Sequence, residues 1–239
     1  MDNHSPEPVL PPEDVKDDPA IAHWSILETW LGVVIFAILV LLILLAAAFV
    51  PSASTGVVYM LGSELLLLVP IAIVFLWKKI SWKELGFRKF SWSSIGLGCG
   101  LLAIVYVLII IHNVILMALG VALQADAVFE VLSKLESPAL LFFVGIVMAP
   151  IMEEMFFRGF LFKGFRQKYG VKIALVLSSF IFALSHLQLA ALFPTFLLGG
   201  VLAYVYDRSE SLFPGMIIHF MINAWGFCAL FAAYRFNAM

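Results

Sequence analysis

The sequence predicts an all-α, polytopic membrane bundle of about seven transmembrane helices, within a range of about six to eight. Of the 239 residues, 63% are hydrophobic and 13% are charged, whereas soluble domains contain about 45–50% apolar and about 25% charged residues. The mean hydropathy is +1.06, and several apolar runs exceed the roughly 20 residues that cross a bilayer. The chain length suits one compact bundle of helices.

The elements of this bundle follow from the apolar runs. Residues 1–22 are acidic and proline-rich and lack the features of a signal peptide, so we expect an uncleaved, disordered tail. The third apolar segment is long enough to tilt, to project beyond the bilayer or to break near His112, and an eight-helix bundle would need that break. The sixth is short and contains Gly199 and Gly200, which is typical of a buried or tilted segment. The seven predicted spans are 24–50, 56–77, 93–123, 138–162, 172–190, 194–206 and 213–235.

Two clusters of basic residues predict the orientation of the bundle. One lies between the second and third segments and the other between the fourth and fifth. Loops rich in lysine and arginine stay in the cytoplasm, so we expect a cytoplasmic N-terminal tail and, after seven spans, an external C-terminus. The two clusters are Lys78, Lys79, Lys83, Arg88 and Lys89, and Arg158, Lys163, Arg166, Lys168 and Lys172.

The charge balance and the cysteines argue against several other classes of protein. A net charge of −2 offers no overall basic field for nucleic acid, which we do not expect as a partner. Cys99 and Cys228 lie far apart in apolar segments, and suggest neither a disulfide framework nor a metal-binding pair.

Ionisable and amide side chains inside the apolar segments mark the candidate site. A charge in the bilayer costs ~3 kcal/mol or more, so these groups should face a partner or a wet cavity. We expect Glu28 to lie at the membrane interface. We expect Glu64, and His112 with Asn113, to form hydrogen bonds between helices, although one of them could line a substrate entrance. The full set of candidates is Glu28, Glu64, His112, Glu153, Glu154, Arg158, His186, His219 and Asn223.

The stretch PIMEEMFFRGF, residues 150–160, divides its two glutamates between two roles. Glu154 and Arg158 are four residues apart, so on a helix they share a face and can form an ion pair. Glu153 lies about 100° around the helix and stays available. Pro150 removes a backbone N–H group and crowds the preceding turn, so a kink there could admit water beside the carboxylates.

The later segments add two imidazoles and an amide. His186 follows Phe182 by four residues in FALSH, and His219 and Asn223 are four apart in HFMIN. Each alone is typical of a hydrogen bond between helices, but with Glu153 they form a set suited to water activation and oxyanion stabilisation. Two alternatives stay open at this point. Glu153, His186 and His219 could bind zinc, or the buried Glu and His side chains could relay protons in a transporter.

Three motifs in order resemble one known family. EEMFFR matches EExxxR, FALSH matches FxxxH and HFMIN matches HxxxN. These are the motifs of the CPBP intramembrane proteases, also called the Abi or type II CAAX-protease family. The resemblance covers roughly residues 138–226, so we predict a protease-like catalytic core at 138–239 and three preceding transmembrane helices at 23–137.

The resemblance implies a role for each polar motif residue. Glu153 would be the general base that activates water, with His186 assisting. His219 and Asn223 would stabilise the oxyanion of the scissile carbonyl. A glutamate mechanism without metal is the common view of this family, and no HExxH motif favours zinc. We therefore expect no cofactor, with zinc held by Glu153, His186 and His219 as the alternative.

The implied function is an intramembrane endopeptidase that uses activated water, without a covalent intermediate, in a cavity open to the cytoplasm. Glu154 and Arg158 would support the general base, and Phe182 would pack beneath His186. Animal and fungal relatives cut prenylated CAAX tails, whereas prokaryotic relatives often live without protein prenylation, so their substrates could be membrane-anchored peptides, signal remnants or sorting tails. The alternative is a non-proteolytic scaffold or immunity-type member of the same fold. Expected partners are a membrane-anchored peptide or protein and the bilayer, and the expected location is a prokaryotic inner membrane.

Overall fold

The computed structural model describes residues 21–49, 53–135 and 137–237, so residues 1–20 of the predicted tail lie outside the described residues. The described chain forms helices and their connections, and no strand occurs in it. Six of the described helices are long and apolar enough to cross a membrane. The predicted class, an all-α polytopic membrane bundle, is therefore confirmed.

Seven helical segments appear in the predicted order, and one short helix is additional to them. The first five helices are α1 (Ile26–Phe49), α2 (Ala53–Leu66), α3 (Leu68–Lys78), α4 (Trp92–Ala118) and α5 (Gln124–Ser133). A continuous helical stretch over 139–169, here called the long helix, contains α6 (Ala139–Phe142), a π-helical segment (Phe143–Met148), α7 (Ala149–Glu153), a second π-helical segment (Glu154–Phe162) and α8 (Lys163–Tyr169). The last three helices are α9 (Val171–Ser185), α10 (Leu189–Ser209) and α11 (Leu212–Asn237). Helices α2 and α3 together form the second segment, and α5 is the additional helix.

Gly170 explains why seven segments make only six candidate spans. The fourth candidate, Ala139–Ser185, has 47 residues and contains both the long helix and α9. Gly170 separates them with a φ of 78°, a left-handed value that glycine adopts without a steric penalty. The chain reverses there, and α9 runs back alongside the long helix.

Of the courses left open for the third segment, a break near His112 does not occur, because α4 continues to Ala118. Two details of the prediction are wrong. The stretch 124–137 is not simply a loop, because it contains the ten-residue helix α5, in which the Asp126 carboxylate accepts a hydrogen bond from the Leu123 N–H at 2.7 Å. The sixth segment is not short, because α10 has 21 residues and includes five apolar residues before Pro194.

Aromatic residues bury the second half of the long helix on all sides. Phe156, Phe160 and Phe165 are fully buried. Trp24 stacks on Phe160 with ring centroids 5.3 Å apart, and Phe36 of α1 lies 5.0 Å from Phe156. Residues 154–165 are all buried, so neighbouring helices enclose this part of the long helix around its whole circumference. We call these five residues the aromatic core.

Three connections meet at one end of the bundle. The Lys163 ammonium group donates to the Glu84 carbonyl at 2.7 Å, which ties the α3–α4 connection to α8. The Ser211 hydroxyl donates to the Arg88 carbonyl, also at 2.7 Å, which ties the α10–α11 connection to the same place. We call this end, which carries both predicted basic clusters except the interior Arg158, the basic end.

Helix α1 begins at the basic end and α11 ends at the opposite one. Glu28 in the first turn of α1 is buried and pairs with Lys78 at 2.8 Å. At the opposite end, α5 packs on the last turns of α11, where the Phe129 and Tyr234 rings lie 6.0 Å apart. The first and last described helices therefore begin and end at opposite ends of the bundle, as predicted. Which of these ends faces the cytoplasm stays a prediction.

Gly159→Ala is expected to lower the melting temperature of the protein in detergent. A Cβ atom at this position would lie 2.9 Å from the Leu85 carbonyl oxygen and 3.0 Å from the Leu85 Cβ. The same oxygen accepts the Tyr206 hydroxyl at 2.9 Å, so it cannot shift without losing that hydrogen bond. Overpacking of this kind costs about 1–3 kcal/mol.

Gly100→Ala is the matched control for that substitution. Gly100 lies inside α4, and a Cβ atom there would have no neighbour within 4 Å. Alanine favours a helix over glycine, so this variant should melt at or slightly above the wild-type temperature. A Gly159→Ala protein that melts like the Gly100→Ala protein would contradict the close approach of Leu85.

Candidate active site

Glu154 and Arg158 form the predicted ion pair inside the long helix. An Arg158 Nη1 to Glu154 Oε1 distance of 2.9 Å joins them, and both side chains are 1% exposed. Arg158 Nη2 donates to the Gly199 carbonyl at 3.3 Å. The central carbon of the guanidinium group lies 4.4 Å from the centroid of the Phe182 ring. Two buried charges are tolerable in this place because they neutralise each other and keep polar and aromatic partners.

His219 of α11 lies between the two glutamates. Its Nδ1 is 3.1 Å from Glu154 Oε1, a hydrogen bond. Its Nε2 is 3.5 Å from Glu153 Oε2, a contact without hydrogen-bonding geometry, since that oxygen is among the unsatisfied buried atoms of the described chain. Glu154 Oε1 thus has two partners, Arg158 and His219, while the Oε2 atoms of both glutamates have no hydrogen-bond partner in the described chain.

The end of α9 presents His186 with a defined tautomer. Its Nδ1 is 2.9 Å from the Phe182 carbonyl oxygen. A carbonyl only accepts hydrogen bonds, so Nδ1 carries the proton and Nε2 of the neutral ring keeps its lone pair. The helix ends at this point because Leu187 adopts a left-handed φ of 54°, and the Phe182 ring packs edge-on against His186 at 4.9 Å, as the resemblance implies.

Asn223 reaches the long helix from one turn beyond His219. Its Nδ2 donates to the Gly145 carbonyl at 2.8 Å. A carboxamide nitrogen has two N–H groups, so this bond leaves one donor over. The Phe182 ring also lies 5.9 Å from the His219 ring, so a single phenyl group supports both imidazoles.

One cavity of about 670 Å³ brings the four predicted catalytic residues together. Glu153, His186, His219 and Asn223 all line it, and so does Phe182. Glu154 and Arg158 are not among its lining residues and lie behind it, which agrees with the supporting role predicted for them. The structure therefore groups all seven predicted site residues, although it does not test what each one does.

Two of the polar residues expected to join helices or to line a substrate entrance, Glu64 and Asn113, face the cavity. Glu64 of α2 is 9% exposed, and its Oε2 has no hydrogen-bond partner among the described residues. Asn113 of α4 lines the same cavity, and its oxygen lies 3.2 Å from the ring of its neighbour His112. The sequence contained a signal for the position of Glu64. An acidic residue in an apolar segment, with no basic residue three or four positions away to pair with, is expected to face a cavity.

The zinc alternative gains no support from the arrangement of these side chains. No group of three or more His, Cys, Asp or Glu residues in the described part of the chain is placed to hold a metal ion. We derive no step of the reaction through a metal.

The cavity occupies the half of the bundle away from the basic end. Its lining comes from α2, from the second half of α4, from α5 and from the first half of the long helix. The end of α9, α10 up to Leu202 and α11 between His219 and Ala233 complete it. No described residue of 78–100, 158–178 or 205–215 lines this cavity. The lining thus does not include the basic loops, toward which we predicted that the cavity opens.

Comparison with known proteins supports a peptidase-like region. Residues 135–225 match the family model described as type II CAAX prenyl endopeptidase Rce1-like. A Bacillus subtilis (strain 168) protein named "Putative membrane peptidase YdiL" is 26% identical over 106 residues, which is 44% of this chain and 43% of that protein. The alignment thus spans less than half of the relative. No solved structure matches the chain significantly.

The matched region contains all three motifs and the four cavity residues described above. The first three helical segments, which supply Glu64 and Asn113, lie outside it. Over residues 135–225, the resemblance of this chain to the CAAX-protease-like family is confirmed.

Proposed function

We propose that the protein is an intramembrane endopeptidase that hydrolyses a peptide bond of a membrane-associated substrate. The observation that carries the proposal is the cavity lined by Glu153, His186, His219 and Asn223. A carboxylate with a free oxygen, an imidazole with a free lone pair and an amide with a spare N–H are the groups that this hydrolysis needs.

In the proposed reaction, Glu153 accepts a proton from a water molecule, and the oxygen of that water attacks the scissile carbonyl carbon. His186 accepts a hydrogen bond from the same water through Nε2 and orients it. The tetrahedral intermediate places its negative charge near the spare N–H of Asn223 and the ring of His219. When the C–N bond breaks, the proton passes from Glu153 to the leaving amine, so the products are an acid and an amine.

The division between the two adjacent glutamates follows from their contacts. Glu154 is held by Arg158 and His219 and is 1% exposed, so it has no access to a substrate. The Oε2 atoms of both glutamates form no hydrogen bond within the described chain, but only Glu153 borders the cavity. Activated water is favoured over a covalent nucleophile because no serine or cysteine lines the described cavity, and the hydroxyl of the lining residue Thr195 donates to the Ala191 carbonyl at 2.6 Å.

Mass spectrometry of membrane peptides tests this function. Cells that express the wild-type protein are compared with cells that express Glu153→Gln at the same level. We expect new peptide termini only with the wild type, and these termini identify the substrate and the bond that is cut. Identical peptide profiles, together with a host phenotype that the variant retains, would contradict the protease proposal and favour the scaffold alternative.

A further inference from the structure

The basic end of the bundle holds most of the positive charge. Of the remaining four basic residues, two lie at the opposite end. Lys134 directly follows α5, and Arg235 is in the last turn of α11. Arg158 is buried inside, and Lys16 lies outside the described residues. The ten at the basic end are Lys78, Lys79, Lys83, Arg88, Lys89, Lys163, Arg166, Lys168, Lys172 and Arg208.

This distribution assigns the basic end to the cytoplasm. Lysine and arginine in short connections next to membrane spans are retained on the cytoplasmic side. The ion pair of Arg166 with Asp207 at 2.8 Å and the Lys163–Glu84 contact lock the three basic connections into one layer, so they cannot lie on different sides of the membrane.

The cavity reaches the other end of the bundle. Gln124, Ala125 and Val128 of α5 line it together with Leu230 and Ala233 near the end of α11. Ala125 is exposed, as are most neighbouring residues of α5. Toward the basic end the cavity stops at Glu153 and His219, behind which lie the Glu154–Arg158 pair and the aromatic core.

We propose that the catalytic cavity is reached from the extracytoplasmic face of the membrane. As a consequence, the substrate class is a membrane-anchored polypeptide whose cleaved segment lies at or just inside the outer face. A lipid-bearing C-terminal tail in the cytoplasm would lie on the wrong side of the Glu154–Arg158 pair. The assignment of substrates rests on the proposed function, whereas the sidedness of the cavity does not.

Cysteine labelling in intact cells tests the sidedness. The background is the full-length protein with Cys99→Ser and Cys228→Ser. Single cysteines are then introduced as Ala125→Cys at the cavity mouth, Asn113→Cys inside the cavity and Lys89→Cys, an exposed position at the basic end. A small membrane-impermeant methanethiosulfonate is added before or after the cells are permeabilised.

We expect the Ala125→Cys and Asn113→Cys proteins to react in intact cells, at least tenfold faster than the Lys89→Cys protein, which should react only after permeabilisation. Reaction of the Lys89→Cys protein in intact cells would overturn the orientation. An Asn113→Cys protein that reacts only after permeabilisation, or not at all, would overturn the outer access route.

The two proposals fail in different ways. Labelling does not depend on catalysis, so a protein that labels as expected but shows no Glu153-dependent cleavage would contradict the protease proposal alone. A protein that cleaves peptides but labels from the cytoplasmic side would contradict the sidedness alone.

Discussion

The Arg158→Ala variant is expected to be less stable than the wild type by about 3–5 kcal/mol, the usual cost of removing one partner of a buried ion pair. The substitution leaves the Glu154 carboxylate, which is 1% exposed, with His219 as its remaining polar partner in the described chain. It also removes the hydrogen bond to the Gly199 carbonyl and the contact with the Phe182 ring. Thermal unfolding in detergent measures the loss.

The chain offers a matched control for this ion pair. Glu130 and Lys134 of α5 have the same spacing of four residues, but both side chains are more than half exposed. Water solvates each partner when the other is removed, so Lys134→Ala should leave the melting temperature unchanged. An Arg158→Ala protein that melts like the wild type would show that the buried pair does not hold the long helix in place.

The double variant Glu154→Gln with Arg158→Met separates charge from packing. It removes both charges and keeps side chains of similar length, so no uncompensated charge remains in the interior. We expect it to melt at a higher temperature than Arg158→Ala. A double variant that is no more stable than Arg158→Ala would show that the loss comes from packing alone.

The Glu153→Gln substitution is expected to slow peptide hydrolysis by about 10²–10⁴-fold, the range for removal of a general base. Glutamine has the shape of glutamate but cannot take a proton from water. The side chain is 13% exposed and its Oε2 forms no hydrogen bond within the described chain, so the melting temperature should stay the same. Initial rates on the substrate peptide identified by mass spectrometry measure the effect.

Glu64→Gln is the control for that rate. Glu64 is the other carboxylate that lines the cavity, and it has no hydrogen bond to any of the motif residues described here. We expect its replacement to change the rate less than tenfold. Full activity of the Glu153→Gln protein would remove Glu153 from the role of base, and loss of activity only in the Glu64→Gln protein would transfer that role to Glu64.

Local spacing in the sequence predicts the site better than it predicts the surroundings of the site. The Glu154–Arg158 pair follows from four residues on one helix, and Phe182 with His186 follows from the same spacing. The contact between His219 and Glu154 joins positions 65 residues apart. The polar residues of the apolar segments grouped their two helices beforehand, but no spacing predicted this contact. Glu64 belongs to no motif, so its place in the cavity depends on how α2 packs.

The sequence could not predict toward which end of the bundle the cavity extends. Depth can be counted along a helix from the nearest basic residue, and that count places Glu153 and His219 inside the membrane. It does not show on which side the helices separate. That depends on where bulky rings fill the space between them, and here the aromatic core fills the side toward the basic end. Helix α5 was missed because a ten-residue, partly polar segment resembles a connection.

The aromatic core has a consequence for the membrane itself. A cavity of about 670 Å³ inside a membrane-spanning bundle shortens the apolar distance that separates the two faces of the membrane. Phe156, Phe160 and Phe165, all fully buried, pack between this cavity and the basic end, and interiors packed at this density contain few voids larger than a water molecule. In the proposed reaction, water enters the cavity on one side, and these rings separate it from the basic end.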